Sequence, residues 1–349
     1  MGPGRQPPAR AEGAAPLAPR PRRRRGLSGS EADTTVVRTR FAPSPTGDLH
    51  LGGAWTALAA WVVARRCGGP FILRIEDIDR PRVVPGARER IEADLRWLGL
   101  DWDEGPYVQS ERGALYDQAI ATLAARGLVY PCDCSRAEIS RVASAPHEGE
   151  DVVYPGTCRE RDRARPMKRS PSWRVRVPDE VVGCEDAADV SPQNLAREVG
   201  DFVLRRADGV YAYQLAVVVD DLDMRVTHVV RGADLRSSTP RQIWLARALG
   251  GRPPTYMHVP LVLAPDGSRL QKRLREGVVR DLRDAGVSAR QIVGELAHGL
   301  GLTATSKPAS AAEVAEACAG REIAWRREPW RLPIALAAAG LRGRGEGGA

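Results

Sequence analysis

His50 stands where a short apolar strand, Thr35-Val36-Val37, gives way to a helix-patterned stretch in which Trp55, Leu58, Ala59 and Val62 recur until Gly68-Gly69. An imidazole at a strand-to-helix crossing could donate to a phosphate, and the helix N-terminus beside it favours an anion. Gly52 and Gly53 let the backbone approach a ligand closely. Alone, His-x-Gly reads equally well as a turn with a capping histidine. Glu76 is the first carboxylate past a second apolar run, Phe71-Ile72-Leu73-Arg74-Ile75, which fits a parallel strand buried on both faces. Such a strand delivers its last residues to the ligand crevice, where Glu76 could hold the α-amine of an amino acid; a solvated acidic turn is the plain alternative. Arg231 follows a third run, Val226–Val230. A guanidinium there can grip a carboxylate with two parallel bonds, or form a surface ion pair. Three cysteines, Cys132, Cys134 and Cys158, fall within one short insertion and suit zinc. His147 would be an ordinary fourth ligand; Tyr154 would be an unusual one, because its phenol must ionise.

Those residues need elements to position them. The strand–helix–strand order of residues 35–75 predicts an α/β unit that binds nucleotides outside the carboxyl ends of parallel strands. Two amphipathic helices follow, marked by Ile91, Leu95 and Leu98, then by Leu115, Ala119, Ile120 and Leu123 with Gly127 as the stop. Ser172–Val177 alternates like a strand, and Asp201–Arg206 with Gly209–Tyr211 predicts a hairpin turning at Ala207-Asp208-Gly209. The apolar run from Tyr213 to Val219 ends in Asp220-Asp221; Tyr211 shares the face of Tyr213 if one strand carries both. Ser238-Thr239-Pro240 reads as the cap of a helix through Ile243, Leu245, Ala246 and Leu249. An apolar strand around His258–Leu263 leads into a basic loop, Pro265–Arg273, of the kind that clamps a triphosphate and neutralises a leaving pyrophosphate. Helices are expected at Val278–Ala285 and from Ser288, with Trp325 and Trp330 packing that lobe onto the body.

A chain of 349 residues with 43% hydrophobic content can bury a real core. No apolar run spans a membrane, so no membrane partner is expected. The formal charge of +8 favours a polyanionic partner. Half of it lies in residues 1–34, whose seven arginines and three acids sit in a Pro/Gly/Ala-rich tail without the apolar core of a secretory signal. That tail reads as disordered, with an RNA-grazing arm as the functional alternative. Six cysteines, three clustered and three scattered, do not make a disulfide framework and fit a reducing cytoplasm.

Arg40-Phe41-Ala42-Pro43-Ser44-Pro45-Thr46-Gly47 followed by Leu49-His50-Leu51-Gly52 resembles the opening signature of class I glutamyl-tRNA synthetases. The second histidine of the wider HIGH tetrapeptide is Gly53 here, as in many glutamyl-type members. Arg74-Ile75-Glu76-Asp77, the Val218-Val219-Asp220-Asp221 segment and Arg269-Leu270-Gln271-Lys272-Arg273, a degenerate KMSKS loop, follow in the family's order. The Cys-x-Cys…Tyr-x-x-x-Cys arrangement is similar to that of glutamyl-queuosine tRNA(Asp) synthetases, truncated relatives of the glutamyl enzymes. The chain length past Arg273 also fits them, since a full glutamyl-tRNA synthetase continues into a large anticodon-reading region.

The resemblance implies a Rossmann-type class I catalytic domain with a zinc-binding insertion and a short C-terminal helical region. It divides the chain into a tail at 1–34, catalytic halves at 35–128 and 201–275, an insertion at 129–200, a helical region at 276–340 and a loose end at 341–349. It implies His50 and Lys272 as catalytic residues, and His50, Gly52 and Lys272 as ATP contacts. Arg40, Ser44, Glu76, Tyr213 and Arg231 are the implied glutamate contacts. One structural Zn2+ per chain is expected on Cys132, Cys134, Tyr154 and Cys158, with His147 as the other choice for the fourth ligand, and Mg2+ with ATP. Glutamate would be activated as glutamyl-adenylate without tRNA, then passed to queuosine at the wobble position of tRNA(Asp), by a cytoplasmic monomer. A small discriminating glutamyl-tRNA synthetase charging the tRNA 3′ end, or a non-catalytic zinc-stabilised RNA-binding paralogue, are the alternatives.

Overall fold

The computed structural model describes residues 36–142, 153–162, 164, 166–268, 270 and 277–342. The arginine-rich tail, His147 and Lys272 therefore lie outside the described residues. The core begins with β1 (Thr39–Phe41), α1 (Leu51–Arg65) and β2 (Phe71–Ile75), continues through α2 (Ala87–Trp97) and reaches β3 (Glu104–Val108). The three strands form a parallel sheet in the order β1-β2-β3. After α3 (Gly113–Ala125) the chain leaves for an insertion. This comprises β4 (Val129–Cys132), α4 (Arg136–Val142), β5 (Ser172–Val175), β6 (Val181–Val182), β7 (Gln193–Asn194), α5 (Leu195–Glu198) and β8 (Val203–Arg205). Its main sheet is antiparallel, β4-β5-β8.

The chain returns through α6 (Tyr213–Asp223), β9 (His228–Gly232), α7 (Thr239–Ala248) and β10 (Thr255–Val259). β9 and β10 pair in parallel. β9 lies beside β1, because the amides of Thr227 and His228 both donate to the Arg38 carbonyl at 3.0 Å. A crossover from one half of the sheet to the other thus falls between β1 and β9, the kind of place where α/β sheets open a ligand crevice. The remainder comprises β11 (Val262–Leu263), α8 (Val279–Asp284), α9 (Ala289–Leu300), α10 (Ala311–Ala317), β12 (Trp330–Arg331) and α11 (Ile334–Arg342). β11 pairs with β12, and Trp330 stacks on Trp55 with ring centroids 5.1 Å apart.

Side-chain alternation along β2 sorts the core into two layers. Phe71, Leu73 and Ile75 face one cluster, shared with α1, α9 and α10. Ile72 faces the other, with Tyr116, Leu123 and the valines of α6. Arg74 shares the Ile72 side, so a full charge enters a buried layer and must find carboxylates there. α1 is apolar all round and is buried at every position from Ala57 to Ala64, as expected of a helix sheathed by strands and other helices. No described helix is long and apolar enough to cross a membrane.

Three expectations need correction, and one strand lacks a sequence signal. The first strand begins at Thr39, not Thr35; Val36 is exposed, because pairing starts only where the Thr39 amide reaches the Pro70 carbonyl. Tyr213–Asp221 is helical rather than extended. A continuous apolar run cannot distinguish a buried strand from a buried helix, and here packing overrides the β-preference of three consecutive valines. Ser238 stands at the N-cap of α7 with Pro240 in the first turn, but its side chain makes no capping bond: a 3-10 turn, Ala233–Ser238, runs straight into that helix, and the hydroxyl accepts instead from Gln214. β3 was not anticipated, since its Gly105-Pro106 pair reads as a turn. The Asp208-Gly209 turn is present, with Gly209 at φ +86° and the Arg206 amide 2.8 Å from the Val210 carbonyl.

Candidate active site

A crevice of about 520 Å³ opens at the carboxyl ends of β1, β2 and β9. Arg40, Ser44, His50, Gly52, Glu76, Tyr213 and Arg231 all line it. His50 is the N-cap of α1, with Nδ1 accepting from the Gly53 amide at 3.2 Å. A Cβ on Gly52 would lie 3.0 Å from the His50 ring, so the glycine leaves room for that imidazole. Leu270 also lines the crevice, which brings the chain to its wall two residues before Lys272. Tyr213 reaches the crevice from the first turn of α6; Tyr211 instead packs edge-on against Tyr116.

The charged floor is a single network. Arg74 is fully buried, donates to Asp221 at 2.7 Å and Glu76 at 3.1 Å, and lies 3.6 Å from Asp220. Burial works against its charge, but Asp221, Glu76 and Asp220 more than offset this and raise its pKa. Asp221 also accepts from Arg40 Nε at 3.2 Å, and its own pKa is lowered because the two guanidiniums outweigh its burial. Burial raises the pKa of Glu76, opposed by Arg74 and Arg40. Asp220 turns the other way, accepting from Gln109, Arg112 and Tyr116.

Arg231 is held differently. It is buried on β9 over the Tyr256 ring, 4.8 Å from its centroid, and among the described residues it makes no ion pair. Its Nη1 donates to Gln242 at 2.6 Å, Nη2 to Thr239 at 2.7 Å and Nε to His258 at 3.3 Å. Three of the five guanidinium donors are thus taken by neutral groups, leaving one on each terminal nitrogen. Burial lowers its pKa, and an anion placed in the crevice would restore the lost balance.

Comparison with known proteins fits this geometry. The model of the family "tRNA synthetases class I (E and Q), catalytic domain" matches residues 36–317. A glutamyl-Q tRNA(Asp) synthetase of Symbiobacterium thermophilum is 51% identical over 316 residues, covering 86% of this chain and 97% of the relative. The chain belongs to the glutamyl-Q tRNA(Asp) synthetases. A second relative with the same name, from Geobacter sulfurreducens, is 48% identical over 85% of this chain and 94% of its own length. Among solved structures, a glutamate tRNA ligase from Elizabethkingia meningosepticum in complex with its amino acid superposes with a TM-score of 0.67 at 26% identity, covering 88% of this chain and 68% of that one.

The insertion of this family member carries a second polar cluster. The sulfurs of Cys132, Cys134 and Cys158 lie within 4.8 Å of one another. The Tyr154 hydroxyl is 3.3 Å from Cys132 Sγ and 3.9 Å from Cys134 Sγ, and it accepts from the Cys158 amide at 2.9 Å. A zinc tetrahedron with bonds of about 2.3 Å has edges of about 3.8 Å, so the three sulfurs can hold one metal ion. Arg174 lies over the Tyr154 ring, 3.8 Å from its centroid. All six cysteines are free thiols.

Arg74, Thr239, Gln242, Tyr256 and His258 had not been singled out from the sequence. Only Arg74 left a signal, as a lone charge inside an apolar strand.

Proposed function

We propose that this protein activates L-glutamate with ATP, without tRNA, and transfers it to the queuosine base at the wobble position of tRNA(Asp). The observation that carries the glutamate half is Arg231: a buried guanidinium with no counter-ion among the described residues, sharing a crevice with Glu76. Its two spare donors match the side-chain carboxylate of glutamate, while Glu76 takes the α-amine. Glutamine, with an uncharged amide, would leave that cation uncompensated. Arg40, Ser44 and Tyr213 complete the grip. The glutamate α-carboxylate then attacks the α-phosphorus of ATP, forming the acyl-phosphate bond and expelling pyrophosphate. His50, at the positive end of α1, stabilises charge on the pentavalent phosphorus, with Gly52 admitting the nucleotide. Lys272 draws charge off the departing pyrophosphate, by resemblance to the family's loop lysine. Mg2+ enters with ATP.

In the second step a hydroxyl of the cyclopentene-diol of queuosine attacks the activated carbonyl and AMP leaves. A chamber of about 900 Å³ shares Ser44, Glu76 and Tyr213 with the crevice and runs past Arg206 and Arg174 to Cys134 and Arg136 of the insertion. Its arginines suit an RNA phosphate path. A structural Zn2+ on Cys132, Cys134, Tyr154 and Cys158 would pin that wall and supply folding energy rather than chemistry.

The test is acceptance of labelled glutamate by tRNA(Asp) with and without queuosine. Labelling only of the queuosine-containing tRNA is expected; equal labelling of both, at the 3′ end, would sink the acceptor assignment.

A further inference from the structure

His258 lies on β10 beside Arg231, its side chain sealed from solvent, and no step above uses it. Its ring nitrogens serve different partners. Nδ1 lies 2.8 Å and 3.1 Å from the two carboxylate oxygens of Asp189. An ionised carboxylate only accepts, so the proton sits on Nδ1. Asp189 is held ionised: burial opposes its charge, but His258 and Arg236 outweigh it and lower its pKa. Nε2 is then a lone pair. It accepts from Arg231 Nε at 3.3 Å and from the Thr239 hydroxyl at 3.2 Å. With its own hydrogen directed at His258, the Thr239 oxygen accepts from Arg231 Nη2 at 2.7 Å. Every hydrogen in this chain has one consistent place, and the order is set from Asp189.

We infer that Asp189 and His258 are positioning residues for glutamate recognition: they fix the imidazole proton, and through it hold Arg231 and Thr239 so that the spare guanidinium donors face the crevice. This rests on reading Arg231 as the carboxylate clamp. Neither residue lines the crevice; both line a separate cavity of about 700 Å³. Their effect on glutamate is therefore exerted only through Arg231.

The arrangement also makes glutamate binding sensitive to acid. A proton on Nε2 removes both acceptor contacts and sets a second cation against the guanidinium. Burial, with the charges of Arg231 and Arg236, keeps the imidazole neutral at ordinary pH against the pull of Asp189. Tyr256, Glu322, Arg326 and Arg327 are the other titratable or charged groups lining its cavity.

The experiment is glutamate-dependent ATP–pyrophosphate exchange without tRNA, on the full chain, with glutamate and ATP varied separately. His258→Leu should raise the KM for glutamate about tenfold or more and leave the KM for ATP within about twofold. His258→Gln, whose amide oxygen can replace the Nε2 acceptor, should recover most of that loss. Asp189→Ala should raise the glutamate KM about threefold. In the native protein the glutamate KM should climb as pH falls below about 6.5, and in His258→Gln that climb should be lost. Identical glutamate KM values for the native, Leu and Gln forms, or equal rises for both substrates, would overturn the inference. Should His258→Leu fail to fold, as judged by thermal unfolding, the Asp189→Ala values and the Gln pH profile decide it. Arg231→Ala separates the two readings. If it leaves the glutamate KM unchanged, the clamp itself is wrong; if it raises that KM while His258→Leu does not, only the positioning is wrong.

Discussion

The glutamate crevice and the cysteine insertion both bury polar side chains against a sheet, yet they solve the problem in opposite ways. In the crevice the chain supplies its own counter-charges: Arg40 and Arg74 share Asp221, and Arg74 also meets Glu76 and Asp220. Among the described residues of the crevice, Arg231 instead has neutral partners, at the place where substrate charge is expected. In the insertion Cys132, Cys134, Cys158 and Tyr154 chiefly meet one another. Burial, the Cys158 hydrogen bond and nearby Cys132 push the Cys134 thiol up to about 12, so its ionisation awaits an added cation. One region is held by the chain's own counter-charges; the other gathers donors that could take a metal ion. The difference predicts which perturbations each will feel.

The largest effect should come from breaking the crevice network at its hub. Asp221→Ala takes the shared carboxylate from two buried guanidiniums and should cost about 3–5 kcal/mol of unfolding free energy, read from urea titration with metal present. A loss below about 1 kcal/mol would mean that Asp220 and Glu76 can replace the missing charge. Next, Arg231→Ala should raise the glutamate KM about 100-fold while sparing the KM for ATP, because a carboxylate loses a buried, hydrogen-bonded partner worth about 3 kcal/mol. Equal losses for both substrates would count against the assignment. Metal removal should act on the other region only. Chelation, or Cys132→Ser, should speed limited proteolysis of the insertion and cut transfer to tRNA(Asp) about tenfold, with adenylate formation retained within about threefold. Unchanged proteolysis would show that the cluster packs well without an ion.

The smallest effect concerns Asp94, which has neither solution. It is fully buried on α2, neither carboxylate oxygen has a hydrogen-bond partner among the described residues, and Arg283 lies 3.6 Å away. Burial raises its pKa to about 6, with Arg280 and Arg283 opposing. The folded state therefore holds this proton more tightly than the unfolded chain does. Stability from this group is lost as pH rises from about 4 to about 6 and stays low above that. Asp94→Asn should raise the Tm at pH 7.5 by about 2–4 °C and flatten the slope over that window. A lower Tm for the Asn form would contradict the sign.

Much of the scaffold was legible because its signals are local. The α1 repeat with its glycine stop, the apolar β2, the Asp208-Gly209 turn and the helix start at Ser288 each lie within a few residues of sequence, and each is present. The same locality explains the misreadings. Tyr213–Asp221 carries no period that separates helix from strand, so only packing between α3 and α7 makes it helical. Ser238 looked like a cap because the sequence does not show the 3-10 turn ahead of it.

By itself the sequence determined the order of the chemistry along the chain: an imidazole at a helix start, a carboxylate at a strand end, an arginine after a third strand, and a tight group of cysteines. Spacing and periodicity carry such information because they follow from backbone geometry within one element. Tertiary structure alone decided which charges meet. Asp221 reaches Arg74 across 147 residues and Arg40 across 181, and His258 answers to Asp189 from 69 residues away. No local rule assigns those partners. A buried charge is tolerated only where the whole fold brings its counterpart within bonding distance.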